Sequence, residues 1–178
     1  NIEKVLVSDF ETSVNNDTFD ASLWTGVTNL GLASSSATGD VIFTNVNNSV
    51  AAEMNSGAGD LTITYGSTLL TGTADTQALN VNGVTGAALF TVNNGATGYA
   101  ETLAISSTGA ASSITTADNR HKTITVTGDK NLTLAMTDGS NSTTKVDAGA
   151  FTGNLTLSGL GTTNISIIGG AGNDTVTA

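Results

Sequence analysis

Residues 169–177, GGAGNDTVT, are the stretch of this chain whose residue types and spacing best suit ligand chemistry. They match the nonapeptide pattern G-G-x-G-x-D-x-U-x at every fixed position, U being a large aliphatic. Gly169, Gly170 and Gly172 permit a tight turn whose carbonyls can point at a cation. Asp174 adds a carboxylate, and Val176 is the aliphatic expected to face inward on the strand that follows. Oxygen-only ligation of this kind suits Ca²⁺, which takes about six to eight oxygens in a flexible shell. The competing reading is a plain Gly-Asn-Asp turn.

Other polar clusters are less pointed. Ser56-Gly57-Ala58-Gly59-Asp60 is a degenerate version of the same loop, which makes Asp60 a secondary metal candidate, and Gly72-Thr73-Ala74-Asp75 is fainter. For both, a capped turn is the favoured reading. Asp20 and Asp147 sit in matching settings, which suggests a corner hydrogen bond to backbone N–H more than a metal. Arg120-His121-Lys122 gathers the chain's single histidine and two of its five basic residues beside Asp118. This triplet reads as a solvated loop before a strand, or as a contact for an anionic sugar or an acidic patch on a neighbour. No paired base or positioned nucleophile accompanies it, so the chain is not expected to be an enzyme. Trp24 and Tyr65 could stack on sugars, although closing the end of a stacked fold is the favoured role for such an aromatic.

The elements that must position these groups are short strands. Aromatics make up only 4% of the 178 residues while hydrophobics reach 38%, so the core must be built from small aliphatics. Val, Ile, Leu and Ala alternate with Thr, Ser and Asn over most of the chain, which is strand chemistry with one solvated face. Candidate strands are Lys4–Ser8, Val41–Asn45, Leu61–Tyr65, Ala78–Val81, Leu89–Val92, Thr102–Ser106, Thr123–Thr127, Leu132–Met136, Asn154–Ser158, Asn164–Ile168 and Thr175–Thr177. Val50–Asn55 reads as at most one helical turn.

Internal echoes point to a repeated unit. DTFDASLWTG at 17–26 matches TKVDAGAFTG at 144–153, and IEKVLVS at 2–8 matches AETLAIS at 100–106. Gly-Asp pairs at 39–40, 59–60 and 128–129 recur at or just before strands. The first reading is therefore an all-β parallel solenoid of short strands, with Gly, Asn and Asp at its corners. An antiparallel β-sandwich is the alternative, supported by the hairpin dipeptides Asn82-Gly83 and Asn94-Gly95. Residues 65–99 fit the solenoid least well.

A net charge of −10 repels nucleic acid and anionic membranes and attracts divalent cations, although acidity can also serve solubility alone. The absence of cysteine removes disulfides, thiolate metal sites and cysteine nucleophiles. There is no 18-residue apolar run and no leader pattern, so neither membrane insertion nor a signal peptide is expected. Beginning at Asn1, residues 1–178 read as one repetitive β-domain cut from a larger protein.

GGAGNDTVT resembles the repeat of RTX proteins, which Gram-negative bacteria secrete through a one-step (type I) export channel. TITVTGDKNLTLAM and TKVDAGAFTGNLTLSGLGTTNISIIGGAGNDTVTA resemble segments that precede such repeats in bacterial S-layer proteins. The likeness is strongest over 100–178, with 169–178 as the start of the repeats, weaker over 1–64, and absent over 65–99. It implies an extracellular, calcium-stabilised structural protein that self-associates into a two-dimensional lattice on the bacterial cell surface, with a cell-surface polysaccharide as a further partner. An adhesin stalk or passenger, or the non-catalytic repeat region of a secreted RTX enzyme, are the alternatives. In that family a calcium ion bridges loops about 18 residues apart. On that spacing Thr156 lies opposite Asp174, so Gly170, Gly172 and Asp174 are expected to form only half of a site.

Overall fold

The computed structural model describes residues 2–12, 15–94, 98–117, 120–137, 142–161 and 164–177. Among these residues it contains strands and no helix. The strands are β1 (Lys4–Asp9), β2 (Asn15–Asp20), β3 (Asn29–Ser35), β4 (Gly39–Val46), β5 (Ala51–Gly57), β6 (Leu61–Tyr65), β7 (Thr76–Val84) and β8 (Ala88–Asn94). They continue with β9 (Thr102–Ser107), β10 (Ser112–Thr116), β11 (Thr123–Gly128), β12 (Leu132–Met136), β13 (Lys145–Phe151), β14 (Leu155–Ser158), β15 (Ser166–Ile168) and β16 (Thr175–Val176).

Odd-numbered strands form one eight-stranded sheet in the order β1-β3-β5-β7-β9-β11-β13-β15, and even-numbered strands form the other. Neighbours within each sheet pair parallel. Each turn of chain thus lays one strand in the first sheet, takes a corner, and lays the next in the second. The result is the parallel β-solenoid expected from the sequence.

Between the two sheets lies a core of stacked aliphatics. Leu30, Ala52, Leu79, Leu103, Ile124 and Val146 line it from the odd sheet, and Val41, Leu61, Phe90, Ile114, Leu132 and Leu155 from the even one, each buried. Strict alternation within strands such as β6 and β10 puts every second side chain into this space. At roughly 25 cal/mol per Å² of apolar area, each fully buried Leu or Ile contributes about 1.5–3 kcal/mol. Aromatics join this core at a few positions, Phe43 and Phe90 within strands of the even sheet and Tyr65 and Phe151 at strand ends. Phe43 stacks on Phe19 at 5.6 Å between centroids and meets Trp24 edge-on at 6.0 Å, which closes the first coil.

Several readings of the sequence are corrected here. The antiparallel sandwich is excluded because neighbouring strands run parallel. Residues 76–84 and 88–94 are β7 and β8, paired in register with the coils on either side, so this part of 65–99 follows the solenoid. Asn82-Gly83 is no hairpin. Gly83 takes a positive φ of 67° inside β7, and its N–H bonds to Ala110 O at 3.3 Å in the next coil. In Asn94-Gly95, Asn94 ends β8 while Gly95 lies outside the described residues. Val50–Asn55 is mostly β5, in which Ala52 and Met54 face the core.

The two echoes have different outcomes. Glu3 and Glu101 stand just before β1 and β9 in the same sheet. Each carbonyl accepts two backbone N–H groups from the coil above: Thr28 and Asn29 at 2.7 and 3.1 Å, Lys122 and Thr123 at 2.8 and 3.0 Å. That echo is a true structural repeat. The Asp-Ala echo is only local. Asp20 ends β2 in the even sheet, whereas Asp147 lies in β13 of the odd sheet.

Candidate cation-binding corner

Short turns join each odd strand to the following even strand, and their polar residues stack into one edge of the solenoid. Glycine is required where coils touch. A Cβ on Gly59 would lie 2.0 Å from the Gly39 carbonyl oxygen, and one on Gly39 would lie 2.3 Å from that of Asp9. The Gly-Asp pairs thereby divide their work: glycine lets the coils close, and the carboxylate ties them together. Asp40 Oδ1 accepts the Asp60 N–H at 2.9 Å, and Asp60 Oδ1 accepts the Leu89 N–H at 2.7 Å one coil further on. Burial pushes the Asp60 carboxyl up from its ordinary range, and the nearby Asp40 charge adds to this against the Leu89 bond.

Higher in the stack, Asn takes the same part. Asn82 Oδ1 accepts the Ala110 N–H at 2.9 Å, Asn131 Oδ1 the Asn154 N–H at 3.0 Å, and Asn154 Oδ1 the Asn173 N–H at 2.8 Å. An amide and a carboxylate both present an acceptor oxygen to a backbone donor, so they serve interchangeably in this ladder.

The GGAGND loop ends the ladder. A Cβ on Gly170 would meet the Phe151 carbonyl oxygen at 2.2 Å, and one on Gly172 would meet that of Gly153 at 2.2 Å. Asp174 turns back on its own coil. Its Oδ2 accepts the Gly170 N–H at 2.8 Å, and its Oδ1 accepts the Leu155 N–H at 2.9 Å, 19 residues away. Thr156 pairs with Thr175 and Leu157 with Val176, so Leu155, not Thr156, stands level with Asp174. The sequence-based spacing is corrected by one residue. Its chemical content is the same, because no carboxylate faces Asp174 from the coil below.

Calcium needs about six to eight oxygens. Around this loop the one carboxylate already takes up two N–H groups, and the facing coil offers backbone carbonyls and the Asn154 amide, itself bonded to Asn173. Among the described residues, no group of three or more His, Cys, Asp or Glu side chains is placed to hold a metal. The donor set does not fit a closed calcium shell.

Other polar candidates resolve into structural contacts. Asp75 Oδ2 accepts the Gly72 N–H at 2.7 Å, capping its own loop. Asp20 Oδ1 accepts the Ser22 N–H at 2.9 Å and Asp147 Oδ1 the Gly149 N–H at 3.0 Å, the corner bonds anticipated for both. These bonds hold the Asp20 carboxyl below its ordinary value, as does Lys145, and secondarily the Gly149 bond, for Asp147.

The basic triplet splits. Arg120 and Lys122 are exposed, but His121 is only 1% exposed, with Nδ1 2.6 Å from Ala100 O. It is a buried structural histidine, which overturns the solvated-loop reading at that position. Asp118 lies outside the described residues. Tyr65 is likewise buried and no sugar platform: its hydroxyl donates to Gln77 Oε1 at 2.7 Å and lies 3.2 Å from Val50 O.

Sequence reasoning missed one interaction, the clamp across β1, β3 and β5. Glu53 accepts from Lys4 Nζ at 2.7 Å and from Asn29 Nδ2 at 2.7 Å. Burial alone would raise the Glu53 carboxyl, but these partners hold it below its ordinary value. A solenoid register makes such a triplet, and a linear sequence carries no signal for it. Comparison with family models, with curated proteins and with solved structures returned no match.

Proposed function

We propose that this chain is a structural segment of an RTX-type surface-layer protein, a solenoid that builds a protective lattice outside a bacterial cell. One observation supports the reading above others: corners tied by Asp or Asn side chains recur up the stack, and the last of them is the GGAGND loop. Its closing step, Leu155–Asp174, spans 19 residues, against 20 at Asp40–Asp60 and 29 at Asp60–Leu89. The last coil thus has close to the two-nonapeptide length of the repeat that the loop resembles. A rod of stacked coils with small outward side chains serves as a building unit.

Calcium enters this reading through loops of this type stacked with a carboxylate on both coils. This chain contributes the half-site of Gly170, Gly172 and Asp174, and its own folding does not depend on the ion. The deciding experiment is electron microscopy of the full-length surface protein with and without calcium. Ordered sheets that form on calcium addition support the reading, and a protein that stays dispersed overturns it.

An adhesin stalk is the second reading, favoured by a cleft of about 530 Å³ beside the first coil, lined by Ile2, Val5, Leu23, Trp24, Thr25 and Val27. Retention of the chain on a polysaccharide resin, abolished by Trp24→Ala, would favour it.

A further inference from the structure

The charge on this molecule is unevenly placed, and the arrangement marks one face. Strands β6, β8, β10, β12, β14 and β16 contain no Asp, Glu, Lys, Arg or His. The odd sheet is interrupted by the Lys4–Glu53 and Lys145–Asp147 ion pairs, and the corners carry Asp40, Asp60, Asp174 and the Asp129–Lys130 ion pair. On a chain of net charge −10, the even sheet from β6 onward is therefore a broad uncharged surface.

Its outward side chains are mostly short and hydroxylated, with Leu89, Asn93 and Ala135 among them. Ser113, Thr133, Thr156 and Thr175 fall in one register column across four strands, and Thr62 and Thr91 form a similar step lower down. Thr133, Thr156 and Thr175 are exposed. Among the described residues, these strands present no outward aromatic of the kind that stacks on sugar rings.

We propose that this face docks a second copy of the same chain, sheet against sheet. Two acidic copies meeting through their corners bring like charges together, whereas meeting here avoids that repulsion. Short Thr, Ser and Ala side chains let two sheets approach to the usual spacing of about 10 Å. Six strands at about 4.8 Å spacing, each about five residues long, present roughly 400 Å² per copy. That is about half of what a standard stable interface buries per partner, so a single contact is weak and gains strength by repetition in an array. The inference rests on the lattice reading and names its lateral contact.

The absence of cysteine allows a clean test. A spin label is attached to Thr156→Cys and mixed at millimolar concentration with isotope-labelled, unmodified chain. The expected result is intermolecular line broadening concentrated on β10, β12 and β14, and its loss when Thr133→Lys is placed in the spin-labelled copy or, independently, Thr156→Lys in the isotope-labelled one. Broadening that is absent, evenly spread, or centred on the odd sheet or the corners overturns the proposal. So does retention of the chain on a neutral polysaccharide resin that is abolished by Thr133→Lys while no intermolecular broadening is seen. In the full-length protein, a lattice unaffected by Thr133→Lys overturns this face alone. A wild-type protein that forms no lattice overturns the underlying reading.

Discussion

Tyr65 shows how a polar group is kept inside a coil stack. Burial pushes its hydroxyl up to about 12 from 10.0, against the opposing effect of its Val50 and Gln77 bonds. The unfolded chain ionises first as pH rises, so this hydroxyl's stabilising effect is complete below about pH 10. It is lost as pH climbs toward 12. Tyr65→Phe should remove that window from an alkaline denaturation curve. At neutral pH the variant should cost about 1–3 kcal/mol, because Gln77 Oε1 loses its buried donor.

The carboxylates separate by their partners. Asp60→Asn keeps the acceptor for Leu89 and removes the repulsion from Asp40, so urea titration at neutral pH should find it as stable as the parent or slightly more so. Asp60→Ala should lose about 1 kcal/mol. Glu53 has the opposite sign. Its depressed carboxyl stabilises the native chain above the ordinary Glu range, and that contribution fades as pH falls through the lowered value. Lys4→Met should flatten this acid limb in the same titration.

Strands written as alternating aliphatics, among them β6, β9, β11 and β12, are legible because their own residues carry the period. Others are not. β2 (NNDTFD) and β10 (SSITT) are too polar to declare themselves, and β5 (AAEMNSG) is rich in helix formers. These segments are strands because the neighbouring coils supply a ladder of backbone donors and acceptors, on both sides of β5 and β10 and on one side of β2, which outweighs local propensity. The same reason explains the site. The glycines and Asp174 mark a tight loop in one dimension, but the turn of the carboxylate onto Gly170 and Leu155 depends on a coil 19 residues away. His121 does not read as buried in the sequence because the Ala100 carbonyl that meets its Nδ1 lies 21 residues away. Gly59→Val should lower stability by several kcal/mol in a thermal melt, because its Cβ would lie 2.0 Å from the Gly39 carbonyl oxygen, a backbone atom that cannot yield as a flexible side chain does.

Each coil touches mainly the coils before and after it, so stability accrues along the stack much as in other repeat proteins. Hydrogen exchange should be slowest in the middle coils, around β7 to β12, and fastest in β15 and β16, where Ile168 and Val176 are 43% and 46% exposed. Calcium should change little here. With one half-site whose carboxylate is already hydrogen-bonded, the melting temperature of this chain in millimolar calcium should match that in chelator to within a degree or two. A large upward shift would reveal a site the described residues do not form.

The parallel ladders also give the molecule a mechanical direction. Every strand lies across the long axis, and the hydrogen bonds between coils run along it. Tension applied across the axis is borne by extended backbone in many strands at once. Tension applied end to end loads one ladder at a time and peels coils off in sequence, each uncoiled turn paying out slack before the next gives way. A chain built this way resists stretch across its axis and yields stepwise when pulled along it.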